Sequence, residues 1–213
     1  MAKSPPPPHL HEPLGVLLGT RAKVGLLRIL TALGEPLSQR ELARRAGLTL
    51  RSAQQALADL YAMGVVTQIA GGRDHLSVFN TRHMLGNALS ALFAAESELA
   101  RQLRAELVRV STGDADPPIG VYLFGSVARA DETLESDVDV LLIARDTAHR
   151  DALLDRVLGA VAALKSVFGV RVAPLAFAKR DARRGWAAKH APWPEIARDV
   201  VPVFGPSLAE LLR

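Results

Sequence analysis

The 213-residue chain contains no cysteine. A disulfide framework, a thiolate metal site and a cysteine nucleophile are therefore excluded together. It also lacks any stretch approaching the ~18 consecutive apolar residues of a spanning helix, so no membrane partner is expected. Residues 1–12 are polar and proline-rich and lack the apolar segment of a signal peptide, which reads as a disordered tail on a cytoplasmic protein. Net charge is only +4, but it is unevenly placed. The first 112 residues carry 13 Lys/Arg against 8 Asp/Glu, and the remainder 13 against 14. A basic first half beside a near-neutral second half fits a polyanion-binding part joined to something else.

What is present in the first half is helical punctuation. Val24, Leu27, Leu30 and Leu33 recur at helical spacing from Thr20, and Gly34 is a plausible stop. Ser38 opens a second helix, with Glu41 three residues on as a capping-box signature. Thr49 caps a third, in which Ala53, Ala56, Leu57 and Leu60 share a face, and Gly64 closes it. Two β-prone runs, Val65–Ile69 and Leu76–Phe79, flank Gly71-Gly72 as a hairpin. Thr81–Val110 is expected to be one long helix. Its stripe of Leu85, Leu89, Leu92, Leu99, Leu103 and Val110, interrupted by Glu96, suggests a packing seam to a second subunit or to the other domain.

The segment Glu41-Leu42-Ala43-Arg44-Arg45-Ala46-Gly47-Leu48-Thr49, continued through Val66, resembles winged helix-turn-helix regulators across residues 20–80. The third helix offers side chains of the types that read base edges and phosphates in a major groove. The candidate DNA-binding set is Arg40, Thr49, Arg51, Ser52, Gln54 and Gln55, with Arg73 at the hairpin tip. Double-stranded DNA is the partner this resemblance implies, and the Leu85–Leu103 stripe motivates a homodimer.

Ser111–Pro118 is the best linker, and beyond it the pattern changes. Ile119–Phe124, Asp137–Ile143 and Val170–Phe177 read as strands, Pro174 in the last arguing for an edge position or a bulge. A helix is expected over 148–167. Between the first two strands stand Gly125-Ser126-Val127-Ala128-Arg129, then Ser136-Asp137-Val138-Asp139. Asp137 and Asp139 are two apart, so both carboxylates project from one strand face and form a hard-oxygen site suited to Mg²⁺ carrying phosphates. Gly125 lets the backbone approach a phosphate, Ser126 begins a helix, and Arg129 adds a cation.

These residues resemble the polymerase-β-type nucleotidyltransferase superfamily, whose motif is Gly-Ser, a spacer, then Asp-x-Asp. The resemblance implies a nucleoside triphosphate held by Gly125, Ser126, Arg129 and Ser136, with Asp137 and Asp139 as catalytic, metal-binding acids for Mg²⁺ or Mn²⁺. Two features depart from that pattern. The next strand carries no third acid, Asp181 lying too far along, and Ala130 stands where a glycine usually follows the arginine.

The fold class expected is α+β. A winged helix-turn-helix domain (13–82) and a connecting or dimerisation helix (83–112) precede a nucleotidyltransferase-like α/β domain with a small mixed sheet (113–213). The function expected is a DNA-binding regulator whose second domain senses nucleotide. The alternatives are an active nucleotidyltransferase acting on a protein, RNA or small-molecule hydroxyl, and an antitoxin-like module that docks a protein partner.

Overall fold

Side chains that cap helices set the frame of the first half. Thr20, Ser38 and Thr49 each accept a hydrogen bond from the backbone amide three residues on, at Lys23, Glu41 and Ser52. Each satisfies a donor the helix itself leaves free. In the computed structural model, which describes residues 10–71, 74–113 and 116–213, these caps open α2 (Arg21–Leu33), α3 (Gln39–Arg45) and α4 (Leu50–Ala62). Gly34 ends α2 in the left-handed conformation at φ 64°. A short α1 (Pro13–Leu18) precedes them and buries Leu17 completely. The chain divides into two compact units, residues 1–98 and 99–213.

In the first unit, β2 (Val66–Gly71) and β3 (Asp74–Phe79) pair antiparallel, and a two-residue β1 (Leu37–Ser38) adds to β3, giving the order β1-β3-β2. β1 has no signal in the sequence. It exists because β3 presents Ser77 and Leu76 opposite Leu37 and Ser38. Lys23 is buried, reaching Asp59 of α4 at 2.6 Å and the carbonyl of Val16 in α1 at 2.9 Å, so one ammonium ties three helices. The core consists of Leu26, Leu27, Leu30, Leu42, Leu57 and Leu60 with Val65, Val66 and Phe79.

Three expectations about this region change. Ser38 caps α3, but Glu41 does not return a bond to it. Its carboxylate is instead taken by Arg44 and Arg45 at 2.6 Å each, and they hold its pKa down to about 2. The long helix begins at Gly86, not Thr81: α5 is Gly86–Thr112. Asn80 bonds the Gly64 carbonyl and the Arg82 amide, and His83 Nδ1 accepts from the Leu85 amide, which holds 80–85 in turns. The apolar stripe of α5 is not one seam. Leu89 and Phe93 enter the first unit's core, and Leu103, Leu107 and Val110 enter the second's, while Leu92 (51%) and Leu99 (47%) are exposed. Glu96 pairs with Arg28 of α2 through two bonds of 2.6 and 2.7 Å.

The second unit is built on a four-stranded mixed sheet in the order β6-β5-β4-β7. Its strands are β4 (Gly120–Phe124), β5 (Val138–Ala144), β6 (Val172–Ala178) and β7 (Val201–Phe204). β4 runs antiparallel to β5 and β7, and β6 is parallel to β5 through the crossover helix α7 (Thr147–Phe168). Alternate strand residues point to opposite faces. Val121, Leu123, Val140 and Leu142 pack toward α7 and the end of α5. Tyr122, Leu141 and Ile143 face α8 (Lys179–Ala188), α9 (Trp193–Asp199) and α10 (Leu208–Leu212). Burial on both faces explains why the strands read as nearly continuous apolar runs. Pro174 lies on the edge strand β6, as its sequence suggested, and the other edge, β7, carries Pro202. No helix among the described residues is long and apolar enough to cross a membrane.

The divided stripe predicts unequal substitutions. Leu89→Ala should cost about 2–5 kcal/mol, as for other buried leucines. Leu92→Ala should stay within about 0.5 kcal/mol. Urea unfolding of the two variants measures both, and equal costs would contradict the division.

Candidate functional site

The registers of the second sheet bring the motif residues together. β4 meets β5 with Phe124 opposite Asp139, so the chain leaving β4 turns at Gly125 directly over that carboxylate. Gly125 sits at φ 74°, and a Cβ there would collide with Asp139 Oδ2. Glycine is required twice over, for the left-handed backbone and for the space. Gly125–Arg129 forms the one-turn helix α6, closed by Ala130 at φ 57°. A left-handed non-glycine residue costs about 1–2 kcal/mol, which gives a physical reason for a glycine at this position.

Asp137 stands one residue before β5, and Asp139 is its second residue. The two still share the strand's alternation, and Asp139 falls on the same face as Leu141 and Ile143, toward α9. Asp137 is gripped by Arg171, whose Nε and Nη2 donate at 2.5 and 2.8 Å. The parallel register explains this contact: Val138 pairs with Val172, so the residues just before each strand lie side by side. The position from which a third acid was sought thus presents an arginine beside the first aspartate. β6 itself contains none.

A carboxylate does arrive from elsewhere. Asp199, the last residue of α9, accepts a hydrogen bond from the Gly125 amide at 3.1 Å and pairs with Arg129. Its side chain is only 9% exposed. Arg129 also reaches Asp131 at 3.0 Å, and Asp131 and then Asp199 hold its guanidinium more firmly protonated. Burial, then the charges of Asp137 and Asp199, raise the pKa of Asp139 against the opposing pull of Arg129. Ser136, next to Asp137, closes a turn: its Oγ accepts from the Thr133 amide at 2.9 Å. Ser126 lies in α6, its carbonyl accepting from the Ala130 and Asp131 amides. Among the described residues no group of three or more His, Asp or Glu is arranged to hold a metal.

Sequence reasoning did not find Arg171 or Asp199. Both approach through strand pairing, and neither belongs to the local motif. In the sequence Arg171 falls inside the expected strand Val170–Phe177, and no local motif marks Asp199.

In the first unit, Arg40, Thr49, Arg51, Ser52, Gln54 and Gln55 are all exposed. Thr49 and Ser52 are engaged with each other at 2.9 Å in the α4 cap. Gln54 donates to Gln39 at 3.3 Å, Gln39 to Tyr61, and Tyr61 shares a 2.6 Å bond with the buried Ser77. Arg40 and Gln54 line a cleft together with Gln68 and His75 of the hairpin. Among the described residues Arg40 and Arg51 have no ion-pair partner, while Arg73 lies outside them.

A mixed sheet covered on both faces, with a Gly-Ser turn above an Asp-x-Asp pair, defines a nucleotidyltransferase-like domain. The chain belongs to the family described as "Putative nucleotidyltransferase DUF294", whose model matches residues 77–201, more than half its length. Comparison with curated proteins and with solved structures finds no match to either.

The electrostatics of Asp139 carry a prediction. Its carboxyl ionises less readily folded than unfolded, so its contribution to stability is full below the ordinary carboxylate range and is lost as pH rises through its folded pKa. Asp139→Asn should therefore raise Tm at pH 7 and flatten that dependence. Thermal melting at acid and neutral pH measures it, and a lower Tm for the variant at pH 7 contradicts the account.

Proposed function

We propose that the chain is a DNA-binding regulator whose second unit binds a nucleoside triphosphate with Mg²⁺ (or Mn²⁺) and senses it. The observation that carries this reading is the seating of Gly125 on Asp139, which sets the turn's backbone and a carboxylate pair side by side. Asp137 and Asp139 would hold the cation, with nucleotide phosphates completing its shell. The donor set fits one such ion: two hard carboxylates share a side, and the pKa of Asp139 is raised by burial and then by the neighbouring charges of Asp137 and Asp199, which a cation would offset. When bound, the ion supplies charge that neutralises the triphosphate. Gly125, Ser126 and Arg129 would hold the phosphates, and Ser136 would support the turn entering β5.

Sensing is favoured over transfer by β6, where no acid stands to activate an attacking hydroxyl and Arg171 engages Asp137. The second reading, nucleotidyl transfer to a protein, RNA or small-molecule hydroxyl, is favoured by the family itself. Incubation with α-labelled nucleotide, Mg²⁺ and lysate separates them. Nucleotide that binds without transferring label supports sensing, and transfer abolished in the Asp137→Asn/Asp139→Asn double variant establishes the enzyme. In either case the double variant should lose metal-dependent nucleotide affinity. Calorimetry that detects neither nucleotide nor metal on the wild type leaves the domain a scaffold for docking a protein partner.

For the first unit we infer a winged helix-turn-helix, supported by three capped helices and the β1-β3-β2 sheet with its hairpin. α4 would enter the major groove, and Leu92 and Leu99 on α5 would supply an apolar face for a homodimer. Arg51→Ala should weaken binding to a selected DNA site by about 1–3 kcal/mol. Titration of wild type onto that site should saturate at two chains. Unchanged affinity removes Arg51 from the contact surface, and saturation at one chain removes the dimer.

A further inference from the structure

The site in the second unit is already filled, by the chain's own charges. The Gly125 amide and the Arg129 guanidinium form a donor pair of the kind that grips one edge of a phosphate. Here that pair holds the two oxygens of the Asp199 carboxylate. Across the site, Asp137 offers two oxygens of the kind that bind a hard cation, and a bidentate arginine fork lies on them. We propose that Asp199 is an internal stand-in for phosphate, and Arg171 its counterpart for the cation, and that Asp199 makes the site selective for polyphosphate over singly charged anions. This rests on the nucleotide reading given above and adds to it a threshold for occupancy.

The two stand-ins differ in how firmly they are held. Arg171 is 64% exposed, and an exposed ion pair contributes little. A cation can displace it by turning a long, solvated side chain aside. Asp199 is nine-tenths buried at the end of a helix anchored in the core by Trp193 and Ile196. Its carboxylate can rotate but cannot leave. A small anion of single charge gains only what Asp199 already supplies and meets a like charge beside it. A polyphosphate with its cation brings contacts to Asp137 and Asp139 that Asp199 cannot make. Replacing Asp199 by asparagine preserves shape, leaves Arg129 paired only with Asp131 and removes the competing charge.

Calorimetry on the full chain with inorganic phosphate, inorganic tripolyphosphate and ATP–Mg²⁺ tests this. Asp199→Asn should bind metal-free tripolyphosphate roughly 10–100-fold more tightly than wild type, the range of a charge-assisted hydrogen bond. It should also acquire measurable affinity for inorganic phosphate. Arg171→Gln should strengthen Mn²⁺ binding without polyphosphate by no more than about fivefold. Equal or weaker tripolyphosphate binding by Asp199→Asn, while wild type binds ATP–Mg²⁺, overturns the stand-in and leaves the nucleotide reading intact. No binding of any probe to either protein overturns both. Should Asp199→Asn fail to fold, the wild-type nitrogen–proton spectrum decides: saturation with ATP–Mg²⁺ must shift the Gly125 amide and the Arg129 Nη1–H, the two groups that hold Asp199. An unmoved pair of signals at saturation overturns the proposal.

Discussion

The antiparallel pairing of β4 with β5, which sets Phe124 against Asp139, is the contact on which the second unit's chemistry depends. It decides where β4 runs out, and therefore that the turn after it begins over a carboxylate. A register slip of one residue would carry every β5 side chain to the other face and move the aspartates to the α7 side. The pattern is protected because both faces of the sheet are buried. Tyr122, Leu141 and Ile143 on one side and Leu123, Val140 and Leu142 on the other are each almost wholly enclosed. The acids are held in place by apolar packing, which is why a small sheet can keep like charges near one another.

Those like charges make the site costly and responsive together. Asp139 is half-buried beside Asp137 and faces the field of Asp199, with Arg129 as the opposing influence. Functional sites often retain such unfavourable charge because a ligand relieves it. Here Arg129 and Arg171 offset part of it, while Asp199 adds to it. Asp139, which has no ion-pair partner among the described residues, is the acid left poorly compensated.

What the sequence made legible is what is decided locally. Thr20, Ser38 and Thr49 announce their helices because a capping hydroxyl acts within three residues, and Gly34 ends α2 because the left-handed stop concerns one residue. The Gly125–Asp139 segment was readable since motif and strand are contiguous. Pro174 betrayed an edge because a missing amide is a property of the residue itself. What stayed hidden is what arises across the fold. Glu41 was drawn from its cap by two neighbouring arginines, and Asn80 held the chain in turns before α5. The stripe on α5 proved divided because two cores, not one, draw on it. Arg171 and Asp199 join the site only through pairings of β6 and β7 that no local pattern encodes.

The prolines at the margins of the sheet bear on how copies of this chain can meet. A strand at the end of a sheet presents unpaired backbone groups to any passing strand, and proteins blunt such borders to stay apart. Pro174 in β6 and Pro202 in β7 each delete one amide from the two outermost rows. Neither border offers an unbroken ladder to an incoming chain. Strand addition is therefore disfavoured at both ends of this sheet, in the folded protein and in partly opened forms that still keep it.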